Sequence, residues 1–242
     1  MASLSLVGWF NGLSASGLVI FGIIFGLYII YKARKSNAQL LYIIGLVIIF
    51  AGLGWLGNLV DFITILLTGQ NMDNSSGTYI LLSMMWFPLT VLCTMYVGAE
   101  LLIPSKKWYF VSIYVILGVL FEIFLFLDPF GSYAFSYPSP SGSDLIDEGL
   151  IYSSPVGIIM IIFILSEVVF WGFGFIYKAI QSTGRVRMNF LIVSLGSFMF
   201  LIFGVLDNLG FPGIALVFFR IGILSSMWLM YFGFFRHLGS RE

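Results

Sequence analysis

The stretch Leu13–Lys35, LSASGLVIFGIIFGLYIIYKARK, decides the fold. From Leu13 to Tyr31 it carries no charge, and then Lys32, Arg34 and Lys35 follow within four positions. An uncharged run of about 20 residues is what an α-helix needs to cross a ~30 Å hydrocarbon layer. The basic cluster at its end marks the face of the membrane it reaches. Six further runs follow the same plan: Leu40–Phe62, Tyr79–Ile103, Trp108–Leu127, Pro155–Tyr177, Met188–Leu209 and Gly213–Phe235. The sequence therefore predicts an all-α, polytopic protein, with residues 1–242 forming one seven-helix transmembrane domain.

Composition agrees. The chain is 60% hydrophobic and 9% charged, where a soluble domain of this size would carry about a quarter charged residues. A transmembrane β-barrel would show short alternating segments instead. The first apolar run has no basic lead-in, so no cleavable signal peptide is expected. Cys93 is the single cysteine, which rules out an intrachain disulfide.

Lysine and arginine set the orientation. They cluster after spans one, three, five and seven: Lys32, Arg34 and Lys35; Lys106 and Lys107; Lys178, Arg185 and Arg187; Arg236 and Arg241. The turns after spans two, four and six carry none. The positive-inside rule then places the amino terminus outside and the carboxyl terminus in the cytoplasm of a cell membrane. Gly210-Phe211-Pro212 is read as a tight turn between spans six and seven. On the outer side, Asn74-Ser75-Ser76 has the form of a glycosylation acceptor. The connection from Pro129 to Ser154 is long enough to be either a lid or a mobile connector.

The chain also repeats itself. Ile30-Tyr31-Lys32-Ala33 recurs as Ile176-Tyr177-Lys178-Ala179, an offset of 146 that carries Asp61 onto Asp207. Met95-Tyr96-Val97-Gly98 matches Met230-Tyr231-Phe232-Gly233 at a shorter offset. These matches suggest two three-helix units in the same orientation, residues 13–103 and 155–235, joined by a linker helix over 108–127. The layout resembles the SWEET sugar transporters, the PQ-loop transporters and related vitamin-precursor transporters, and it shares its span number with rhodopsins. The Pro-Gln pair that names the PQ-loop family is absent. The resemblance implies a solute site between the two units and rocking of one against the other.

Ionisable groups inside a span are costly and are the default site candidates. Glu167 lies 11 residues before Lys178, which puts it ~16 Å from the inner boundary. It suits a proton carrier, a polar-ligand contact or a simple hydrogen bond to a neighbour. Glu122 and Arg220 fall in the outer half, and Asp61 and Asp207 near the outer helix ends. Arg220 needs a counter-ion, and Asp207 is the best placed across the short turn. Asn58 lies one helical turn before Asp61 on the same face. Pro88 should kink span three beside Trp86, and Trp86 is a candidate to line a cavity at the depth of Arg220 or else to face lipid or core. Glu100, near the inner face, is expected to meet Lys106 or Lys107.

Several chemistries are excluded. A retinal Schiff base needs a lysine in the last span, and that span has none. One histidine, His237, and one cysteine do not make a zinc site. No hydrolase motif is present, so no enzyme is expected, and neither is a cofactor, a metal or a nucleic-acid partner. Two functions remain open. One is a small-solute transporter with an outward polar pocket lined by Asp61, Glu122, Glu167, Asp207 and Arg220. The other is a receptor-like or sensory protein using the same pocket. Both place the chain in the lipid bilayer with an unidentified small molecule. The short inner loops leave a sensor dependent on a separate effector protein, and a homo-oligomer stays open.

Overall fold

The computed structural model describes residues 4–209 and 214–235. The expected turn at Gly210-Phe211-Pro212, His237, Arg236 and Arg241 lie outside them. Helix α1 runs Leu6–Lys35. Ser5 caps it by accepting the Gly8 amide at 2.9 Å, and Lys32, Arg34 and Lys35 sit in its last turn, where cations suit the helix dipole. Its outward face exposes Leu13, Ile20, Ile24, Leu27 and Tyr31. Such a stripe suits contact with lipid. The other face packs on α2 (Gln39–Leu53). A Cβ on Gly22 would lie 2.8 Å from the Gly52 Cα, so the backbones meet where neither helix has a side chain. In lipid, close approach of this kind replaces the hydrophobic drive between helices.

Three spans are interrupted. Span two is α2 followed by α3 (Leu56–Thr68), bent by 45° at Gly54-Trp55. The sequence reading gave the apolar run Leu40–Phe62 and did not address a bend. The bend seats Gly57 against span three, where its amide donates to Ser83 Oγ at 3.1 Å. Span three is α4 (Thr78–Met84) and α5 (Phe87–Leu102). The break at Met85-Trp86 falls where Pro88 has no amide to give to the preceding turn. Span five is α8 (Pro155–Glu167), a π-helical segment over Val168–Phe173, and α9 (Gly174–Ile180). Apolar periodicity gave no sign of the π-helical segment. Span four is α6 (Lys107–Leu127). Among the described residues, six helices are long and apolar enough to cross a membrane, or seven if the bent pair α2–α3 counts as one span.

The fold is helical except for one feature the all-α expectation left out. After α6, a short helix α7 (Pro129–Ser132) leads into strand β1 (Tyr133–Ser136), which pairs antiparallel with β2 (Asp147–Leu150). This hairpin occupies the Pro129–Ser154 connection and folds over one end of the bundle. Spans six and seven are α10 (Gly184–Asp207) and α11 (Ile214–Phe235). Each span packs on its chain neighbours and α11 packs on α1, so the spans close a ring in sequence order. At the lysine end, Val47, Ile48, Val97, Trp171, Phe175 and Val193 belong to one buried apolar cluster. Lys107 and Glu100 form an ion pair there at 2.6 Å.

Candidate functional site

The ring is open toward the hairpin end. A cavity of about 130 Å³ descends from the hairpin into the bundle, between spans two, three, five, six and seven. Its roof carries Asp147 and Glu148 of β2 with Asp207 and Arg220; its floor carries Thr90 and Glu167. The wall between them is apolar and aromatic, with Phe50, Trp55, Phe87 and Phe200. A second chamber of about 300 Å³ lies nearer the hairpin and shares Asp147, Leu216 and Arg220 with the first.

Arg220 organises the region where the two chambers meet. It is 5% exposed. Its Nε donates to Asp207 Oδ1 at 3.3 Å and its Nη1 to the Asn11 carbonyl at 3.0 Å. Trp55, freed at the bend of span two, donates its indole N–H to Asp207 Oδ2 at 2.9 Å. One ion pair thus joins α1, the α2–α3 bend, α10 and α11. An isolated buried charge would be expensive, and these contacts are the compensation it requires.

Asp61 has a different task. It is fully buried and accepts three N–H bonds: from Asn71 Nδ2 at 2.9 Å, the Met72 amide at 2.8 Å and the Ile146 amide at 2.8 Å. It pins the hairpin to α3 and lines neither chamber. Asn58, one turn earlier, donates to the Tyr79 hydroxyl at 2.5 Å, and Tyr79 donates to the Ile146 carbonyl at 2.8 Å. Asn58 lines the larger chamber.

Glu167 is buried at the last residue of α8, directly before the π-helical segment. Its Oε1 accepts from Thr94 Oγ1 of α5 at 2.9 Å. Glu122 is half-buried on α6 and lines neither chamber. Trp86 also lies outside both; its indole donates to the Leu82 carbonyl at 3.0 Å and its ring stacks on Phe50. Pro88 is buried at the start of α5. Of the five charged candidates, the fold brings Glu167, Asp207 and Arg220 to one cavity and leaves Asp61 and Glu122 elsewhere.

Asp147 and Glu148 join that cavity from the hairpin. In the sequence they are two acids of the long loop between spans four and five. The signal available was an acid pair in a long loop leading back to an apolar segment. Burial pushes the Glu148 carboxyl up to about 8, with the Arg220 charge opposing. Burial also raises Asp147, again with Arg220 opposing. The Asn74 side chain of the glycosylation-type triplet is buried and engaged at both ends. Its Nδ2 donates to the Tyr137 hydroxyl at 3.0 Å and its Oδ1 accepts the Tyr79 amide at 3.0 Å. The folded chain does not offer it to solvent as a glycan acceptor.

Among the described residues, no group of three or more His, Cys, Asp or Glu side chains is placed to hold a metal ion. No family model, curated protein or solved structure matches the chain.

Proposed function

We propose that this integral membrane protein is a ligand-binding, receptor-type seven-span protein, with the hairpin facing outward and the lysine-rich end in the cytoplasm. One observation carries the reading. The cavity stops at Thr90 and Glu167, and toward the lysine end spans two, three, five and six close on one another through Val47, Ile48, Val97, Trp171, Phe175 and Val193. A carrier needs a second, polar half to that path. A receptor needs a pocket on one side and a packed element that leads to the other.

The π-helical segment is that element. A ligand in the cavity would bear on Glu167, and Glu167 precedes the irregular turn that continues into α9 and the basic face. Stretches of π-helix often occur at functional positions. With no catalytic constellation assigned, the output would pass to a separate effector protein. Lysine and arginine placement supports the orientation.

A solute carrier is the second reading. What favours it is that spans two, three and five are all interrupted at the level of the cavity, and discontinuous helices are a habit of transporters. Purified protein in liposomes separates the two. Small metabolites that raise the melting temperature without accumulating inside support the receptor. Saturable accumulation of any of them overturns it.

A further inference from the structure

The larger chamber has a distinctive chemistry. Its wall includes Asn11, Asn58, Asp144, Asp147, Tyr137 and Arg220. Asn11 is 7% exposed and Asn58 2%, and in each the side-chain Oδ1 has no hydrogen-bond partner. Buried polar atoms without partners are uncommon in a folded protein. The neighbours fix which end of each amide is the oxygen. Asn11 Nδ2 donates to Asp144 Oδ1 at 3.2 Å, and turning the amide over would set two acceptors face to face. The Tyr79 hydroxyl spends its one proton on the Ile146 carbonyl, so it accepts from Asn58 Nδ2. Both orphaned atoms are therefore acceptors.

The charges point the same way. Asp144 and Asp147 bring two carboxylates to the chamber. The Arg220 guanidinium, the one cation among the described lining residues, is already turned to Asp207 and to the Asn11 carbonyl. The one lining cation is thus engaged elsewhere, while both carboxylates stay in the wall. An anion entering here would meet two acids.

We propose that this chamber, read as part of the ligand site argued above, binds the protonated amine of a small organic cation. An ammonium group carries three N–H donors and no acceptor, which suits the two carboxylates and the two unpartnered amide oxygens of this wall. The Tyr137 ring in the same wall suits a cation. About 300 Å³ sits at the lower end of small-molecule sites, far more than a bare metal ion fills.

The test uses the full chain in lipid nanodiscs, with ethanolamine as the probe. Ethylene glycol is its neutral counterpart, acetate the anionic one, and sodium chloride controls for ionic strength. Melting temperature and titration calorimetry are the readouts. Ethanolamine should raise the melting temperature and bind saturably, while the other three leave both unchanged. Asp147→Asn should weaken ethanolamine at least about tenfold, as loss of a charge partner does. Equal effects of ethanolamine and ethylene glycol on the wild-type chain overturn the proposal, and that comparison needs no variant to fold. Equal effects of sodium chloride, or unchanged affinity in a folded Asp147→Asn, do the same. Stabilisation by sugars or carboxylates but not by ethanolamine also rejects amine recognition, yet leaves the ligand-binding reading standing. Accumulation of ethanolamine inside liposomes removes the receptor reading and leaves amine recognition intact.

Discussion

At the scale of single residues, the two aspartates that the 146-residue offset pairs have unlike roles. Asp207 meets a positive charge and an indole N–H, whereas Asp61 meets three neutral N–H donors. Their substitutions should differ accordingly. Arg220→Ala strands the Asp207 carboxylate and should cost about 3–5 kcal/mol. Replacing both partners together, Asp207→Leu with Arg220→Met, should cost less than Arg220→Ala alone. Denaturation in detergent compares the two, and a double variant weaker than the single one would refute the pairing account. Glu148 gives a pH signature. Its ordinary value is 4.5 and burial carries it to about 8. Between those values the folded chain holds a proton that the unfolded chain has released. That stability is fully present below the unfolded value and is lost as pH rises through the folded one. Asp147, raised in the same direction, adds to the slope. The wild-type melting temperature should therefore fall from about pH 5 to about pH 8, and that of Glu148→Gln, which stays neutral, should fall less.

At the scale of elements, the apolar runs were legible because hydropathy reports length directly. The interruptions were legible only where a residue type forces one. Pro88 announced the break in span three. The bend at Gly54-Trp55 and the π-helical turn after Glu167 come from tertiary packing: Gly57 on Ser83, and the Gly172 carbonyl taken by Ser194 Oγ at 3.0 Å. No periodicity in span five encodes that last contact. Ser194→Ala should cost about 1 kcal/mol and speed amide exchange across Val168–Phe173, read by mass spectrometry. Exchange unchanged there would mean the hydroxyl does not hold the irregular turn. The hairpin was legible as a long loop but not as strands, because its order comes from distant partners such as Asp61. Asp61→Asn replaces an acceptor by a donor facing N–H groups and should cost about 1–3 kcal/mol. Limited proteolysis should then cut within residues 137–146 before the helices lose their structure.

At the scale of the whole molecule, charge and packing give the chain two unlike ends. The lysine end is shut by aromatic and β-branched side chains. The hairpin end holds the chambers, their acids and the unpartnered amides. Apolar spans and the clustering of Lys and Arg were readable from the sequence because both are one-dimensional. Convergence of Glu167, Asp207 and Arg220 on a cavity, with Glu122 left out, depends on helix rotation. In long apolar helices rotation is weakly encoded, since lipid and core accept the same residues. The orientation deduced from Lys32, Lys107 and Lys178 can be tested separately from any ligand. In a Cys93→Ser background, a cysteine placed at the exposed Ser153 beside the hairpin should react with a membrane-impermeant maleimide on intact cells. A cysteine at the exposed Thr183, between α9 and α10, should react only after the membrane is opened. The opposite labelling pattern would turn the molecule over. The chambers would then face the cytoplasm, and a receptor for outside ligands would have its pocket on the wrong side.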